Sequence, residues 1–132
     1  MKKSAVITAT FASNIEKVWQ IVTDNHNFRW RSDVSDIQIA DENHFIEIST
    51  NGYKTEFEIT DKKSFKYYAF KIKGQNMSGE WQGIFSECEN GTHIEFIEKI
   101  TVKNPLMYVL LGFYLKKQQS RYIRDLRKAL GE

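Results

Sequence analysis

Between Asp36 and Val102 the chain repeats one pattern six times: an alternating apolar–polar run, then a short polar link. The runs are "DIQIA", "HFIEIS", "YKTEFEIT", "FKYYAFKIK", "GEWQGIFSEC" and "THIEFIEKITV". The links are "DEN", "TNG", "DKKS", "GQNMS" and "ENG". Period-two alternation marks strands with one buried face, and links this short join only antiparallel neighbours. Asn51-Gly52 and Asn90-Gly91 are strong hairpin signals. A six-strand antiparallel meander is the expectation.

The flanks complete the architecture. "SAVITATF" alternates from Ser4 to Phe11 and predicts one more strand. "SNIE" then offers a capping box, with Ser13 as N-cap and Glu16 three positions on. Ile15, Val18, Trp19 and Val22 fall on one helical face, and the helix should end near Asp24. The polar stretch "NHNFRWRSDV" follows, carrying Phe28 and Trp30. After the meander, Asn104-Pro105 supplies an N-cap and a first-turn proline for a helix running to Leu130, with Gly131 as its stop. The prediction is a single α+β domain over residues 1–132. A curved seven-stranded antiparallel sheet wraps a long C-terminal helix, with short helices after the first strand.

Turn chemistry converts into a predicted register. A two-residue Asn90-Gly91 turn pairs Phe85 with Phe96, Gly83 with Glu98 and Trp81 with Ile100. The Asn51-Gly52 turn sets Ile46 opposite Phe57, Ile48 opposite Thr55, and Glu47 opposite Glu56 on the solvent face. Four-residue loops at "DKKS" and "GQNM" would set Phe57 facing Tyr68 and Phe70 facing Trp81. One inner row then reads Phe57, Tyr68, Gly83, Glu98, with Gly83 leaving a gap between a phenol and a carboxylate. A carboxylate buried there costs several kcal/mol (about 2–7 for a neutral polar group, more for a charge) unless paired or neutralised, and its pKa rises.

Composition narrows the function classes. Nine Phe, six Tyr and three Trp supply aromatics well beyond what turns consume. Tyr53, Phe57, Phe70, Trp81, Phe85 and Phe96 either line a cavity or fill the core; Thr55 and Gly83 beside them favour the cavity, with Trp30 as a packing plug or a lid. Leu111, Leu115, Tyr122, Leu126 and Leu130 form the core stripe of the long helix. Leu106, Met107, Leu110, Phe113 and Tyr114 then require separate cover, from the short N-terminal helices or from an outside surface. Residues Lys116 to Glu132 hold six basic and two acidic side chains within a net charge of +2, either the solvated face of an amphipathic helix or a surface for phosphate or anionic lipid.

Other chemistry is not indicated. His26, His44 and His93 lack metal-ligand spacing, so no metal is expected, and no cofactor. Cys88 and His93 are placed opposite each other on the outer face, where a coincidence explains them better than a thiol–imidazole dyad. No phosphate loop, dinucleotide fingerprint or nucleic-acid module occurs. A lone cysteine and no visible secretory signal point to a cytoplasmic location.

The residues "ATFASNIEKVWQIVTD", Trp30 with Val34, "GEWQGIFSECENGTHIEFIE" and the terminal "LRKAL" resemble one superfamily over nearly the whole chain. It is the START-related, pollen-allergen-like helix-grip group, SRPBCC, especially small bacterial members of the polyketide cyclase/dehydrase and lipid transport type. Val18, Trp19, Asp24, Trp30, Gly91 and Thr92 match its pattern. The resemblance implies a helix-grip fold and a cavity between sheet and long helix for lipids, sterols, polyketides or hormones. Only some members are enzymes. The crowded aromatic wall departs from it and implies a smaller cavity.

Together these readings predict a non-catalytic binding protein for a small, mainly apolar ligand, with transport as an extension. Glu98, Tyr68 and Thr55 would orient a polar group, and Gly83, Tyr108, Leu111 and Leu115 would complete the lining. The start of the long helix, with the short N-terminal helices, would form the portal. Two alternatives stand beside it. One is a cyclase or dehydratase using Glu98 and Tyr68. The other is an interaction module whose Leu106–Leu115 segment makes a transient membrane or homodimer contact.

Overall fold

The computed structural model describes all residues from Met1 to Glu132. Strand β1 (Lys2–Phe11) leads into helix α1 (Ile15–Thr23). The meander follows as β2 (Val34–Asp41), β3 (His44–Ser49), β4 (Lys54–Lys63), β5 (Tyr67–Lys73), β6 (Met77–Cys88) and β7 (Gly91–Val102). Helix α2 (Pro105–Ala129) closes the chain. The seven strands form one antiparallel sheet in the order β1-β7-β6-β5-β4-β3-β2, so the first strand returns beside the last. This is the predicted α+β architecture, with one helix rather than several after β1.

Local chemistry sets the helix limits. Asn14, not Ser13, caps α1, its side chain accepting the Lys17 backbone N–H at 2.9 Å. The Ser13 hydroxyl instead donates to Glu132 at 2.8 Å, and Glu132 also accepts the Ala12 and Ser13 backbone N–H groups. A partner from the far end of the chain therefore displaced the local capping box. Asn104 caps α2 as expected, and Gly131 turns the chain away at φ 79.

The sheet's concave side and the two helices enclose the core. Val18, Trp19 and Val22 of α1 pack with Phe11, Phe85 and Ile94, and Leu115, Ile123, Leu126 and Leu130 of α2 join them. Helix α2 lies chiefly along β1, with closer approach there than at any other strand. Buried Gln119 donates to the Ala5 carbonyl at 3.0 Å, and Arg127 to the Thr10 carbonyl at 3.0 Å. These bonds anchor the helix to the edge strand.

Three of the four hairpin registers differ from expectation. In β6–β7 the turn residues are Glu89 and Asn90, so Gly83 pairs with Phe96 and Trp81 with Glu98. Gly91 opens β7, where the Phe11 carbonyl lies against the position a Cβ would take, so only glycine fits. The slip is two residues, which leaves the faces unchanged. In β3–β4 the link is three residues, Thr50 to Gly52, with Gly52 left-handed at φ 85. Phe45 therefore pairs with Phe57 and Glu47 with Thr55. This slip is one residue, and it swings Glu47 from the solvent face to the inner face.

Strand β4 runs on to Lys63, through an irregularity between Ile59 and Asp61, so Phe57 faces Ile72 and Tyr68 faces Lys62. The β5–β6 hairpin keeps the expected register, with Phe70 opposite Trp81.

Candidate functional site

The inner face of β3 to β7 is a continuous aromatic wall. Phe45 stacks on Phe57 at 4.9 Å between ring centroids, and Phe70 on Trp81 at 4.8 Å. Tyr68, Phe85 and Phe96 extend the wall toward Trp19 of α1. Gly83 leaves no gap. A Cβ there would meet the Trp81 indole at 2.6 and 2.9 Å and Phe85 at 3.2 Å. The space expected for a ligand beside Gly83 is filled by Trp81.

Glu98 does point inward, as expected, but it stands between Ala5 and Trp81 rather than beside Gly83. It is partly covered and takes no hydrogen bond or ion pair from the protein. Burial pushes its pKa up to about 7, the Glu47 charge adds to the rise, and Arg31 opposes it. Near neutral pH the group is thus poised between hydrogen-bond donor and carboxylate. Along its own row the inner face carries Trp81, Phe70 and Ile59, and Thr55 and Met77 are further partly covered residues of that face.

An ion cluster missed at the sequence level lies across the interior from Glu98. Arg31 donates to Glu47 at 2.8 and 3.4 Å and to Asp33 at 3.1 Å. The three side chains are only 13, 16 and 21% exposed. Burial works against the Arg31 charge, and Glu47 and Asp33 outweigh it, so its pKa is raised. The guanidinium carbon sits 5.2 Å from the Tyr122 ring centroid, while Arg31 Nε has no acceptor. Burial also raises the Tyr122 phenol, against the pull of Arg31. The only sequence signal for this cluster was an arginine in a polar segment between Phe28 and Val34. Glu47 was assigned to the other face.

The remaining candidates divide. Tyr68 is buried, and its hydroxyl meets Asn25 Nδ2 at 3.5 Å, so it faces the α1 end and does not pair with Glu98. Burial raises its pKa, and the Asn25 bond lowers it in part. Trp30 packs edge-on against Tyr122 at 5.2 Å. Phe57, Trp81, Phe85, Phe96 and Leu115 are core residues. Tyr53 is 69% exposed, outside the wall. Tyr108 and Leu111 are partly buried over β1, with the Lys3 ammonium 4.3 Å from the Tyr108 ring centroid. Leu106, Met107, Leu110, Phe113 and Tyr114 are exposed. Helix α1 cannot cover them, because it meets the other end of α2, where Lys17 donates to the Leu130 carbonyl at 3.3 Å.

Two of the clefts lie outside the wall. One of ≈ 20 Å³ is bordered by Asn25, Trp30, Arg31 and Tyr122, room for about one water-sized molecule. The other, ≈ 320 Å³, is open and polar, between the start of α1 and the β6–β7 turn, at the far end of β7 from Glu98. Cys88 borders it, opposite Gly91; His93 pairs with Ser86 and bonds Thr10 at 3.1 Å, so no Cys–His dyad forms.

No protein-family model matches the chain, and no curated protein matches it in sequence. Solved structures match it in fold. A conserved protein from Geobacillus kaustophilus superposes with a TM-score of 0.82 at 15% identity, covering 99% of this chain and 95% of that one. A START superfamily protein from Mycobacterium smegmatis gives 0.82 at 11% identity, covering 96% and 95%. Ara h 8.0201 gives 0.76 at 13% identity over the full length of both chains. At these identities the likeness is one of fold, the helix-grip architecture that the sequence resemblance implied.

Proposed function

We propose that the chain binds a small, mainly apolar ligand between the aromatic inner face of the sheet and α2, with Glu98 holding the ligand's polar group. The observation that carries this reading is Glu98, which points to the inner face between Ala5 and Trp81, takes no hydrogen bond or ion pair from the protein, and has its pKa raised to about 7. A carboxyl on this face that no protein group engages is available to hold a ligand's polar group. Thr55, Phe70 and Trp81 lie on the same face, and Leu111 approaches from α2. Apolar ligand surface enclosed there gains about 25 cal/mol per Å². Because Trp81 occupies the Gly83 position, the ligand is small, or it displaces the indole on entry. Release or delivery of the ligand to another site is an extension of the same reading.

The test is native mass spectrometry of freshly purified protein, followed by tryptophan-fluorescence titration with decanoic acid and its methyl ester. The expected result is saturable binding of the ester at neutral pH, weakened about tenfold or more in Glu98→Leu and retained in Glu98→Gln. Absence of any copurifying molecule together with no saturable response to either probe overturns the reading.

A second reading rests on the same residue. An acid titrating near 7 suits general acid–base catalysis. Tyr68 does not assist it, since its hydroxyl faces Asn25. Turnover of a bound ligand abolished in Glu98→Gln, with binding intact, would select this reading over simple carriage.

A further inference from the structure

We infer that the apolar start of α2 is a docking surface for a lipid bilayer that carries anionic headgroups. Leu106, Val109, Leu110 and Phe113 are 68, 63, 58 and 79% exposed, on the side of the helix that faces away from β1, and Tyr114 sits at the edge of this patch toward Glu98. Large apolar side chains gathered this densely on a surface mark an interaction site rather than scattered exposure. No other part of the chain covers them: β1 and β7 lie under the opposite side, and α1 meets the far end of α2. No helix of the protein is long and apolar enough to cross a membrane, so the geometry is that of a helix lying at the interface.

Charge selects the occupant. From Lys99 to Arg124 the sequence contains no acidic residue, and Lys103, Lys116 and Lys117 flank the apolar turns on both sides. Lys2 and Lys3 arrive at the same end, because β1 starts where β7 finishes, and Lys3 reaches the Tyr108 ring and Gly112. The acids that act on Tyr114 are Glu98, Asp33 and Glu47; the last two are held by Arg31. A second copy of this chain would set these lysines against each other with no counter-charge. Anionic headgroups supply that counter-charge while the acyl boundary takes the leucines and Phe113. The inference does not depend on what the interior holds.

Vesicle flotation tests it. The full-length chain is mixed with phosphatidylcholine vesicles, with or without about 30 mol% phosphatidylglycerol. The expected result is flotation with the anionic vesicles only, lost in about 0.5 M salt. Leu110→Ser/Phe113→Ser and Lys116→Ser/Lys117→Ser should each lower partitioning about tenfold or more. All four side chains are exposed, so circular dichroism and thermal unfolding should match the parent chain and exclude misfolding. Three outcomes overturn the inference: no flotation, equal flotation on neutral vesicles, or flotation unchanged in both variants. A concentration-dependent dimer abolished by Leu110→Ser/Phe113→Ser, without flotation, assigns the patch to self-association instead.

Discussion

Trp81 lays its indole over Gly83, two residues along the same strand and face, so that a Cβ at Gly83 would stand 2.6 Å from the ring. Glycine in a strand ordinarily weakens it, and alanine would be the stabilising choice. Here the sign reverses. Gly83→Ala should destabilise by about 1–3 kcal/mol through overpacking. Urea unfolding measures the loss, and a shifted tryptophan emission maximum in the folded state would report the displaced ring.

Glu98 gives a pH signature. Its folded pKa of about 7 lies above its ordinary 4.5, so the folded chain holds a proton that the unfolded chain has lost between those values. Stability therefore falls as pH rises from about 4.5 to about 7 and levels off above. Glu98→Gln mimics the protonated form and removes this dependence. The variant should match the parent in acid and exceed it by about 3 kcal/mol above pH 7. A difference that stays constant with pH would place the carboxylate in water.

Arg31 and Glu47 form a test of buried pairing. Arg31→Met strands Glu47 and Asp33 in a largely covered site and should cost about 3 kcal/mol. Arg31→Met/Glu47→Met should recover part of that loss, because one of the two stranded charges is gone and only Asp33 remains. The single variant should also raise the Glu98 pKa, since Arg31 holds it down. Carbon-13 NMR titration of the Glu98 carboxyl reads this directly.

Asp125 ties the segment after α1 to the long helix. It is buried on α2 and accepts the Ser32 backbone N–H and hydroxyl, each at 2.8 Å. Asp125→Ala leaves both donors without their acceptor and should cost about 1–3 kcal/mol. Faster amide hydrogen exchange at Ser32 and its neighbours, with the meander unaffected, is the expected pattern. Uniform destabilisation across the sheet would show that Asp125 supports the whole core.

Element order, the inner face of most strands and the limits of α2 were legible in the chain, because each depends on neighbours a few residues away. Alternation placed Phe70, Trp81, Phe85, Phe96 and Glu98 on the inner face, and the structure keeps them there. The superfamily resemblance pointed to the same fold. The Ser13 cap failed for a different reason. Its competitor, Glu132, is adjacent only after folding.

The sequence by itself determined which runs become strands, which strands of the meander are neighbours, and that an acid points into an aromatic interior; the pairing of β1 with β7 came only with the tertiary structure. Tertiary structure alone decided register, and register decided the site. A two-residue slip in β6–β7 preserved the faces yet moved Glu98 from Gly83 to Trp81; a one-residue slip in β3–β4 carried Glu47 inside to meet Arg31. Side-chain alternation has a period of two, so the pattern is blind to even slips, and an odd slip hinges on one residue in a turn. The close approach of the Phe11 carbonyl to Gly91 is a contact between distant parts of the chain, invisible to a local turn rule.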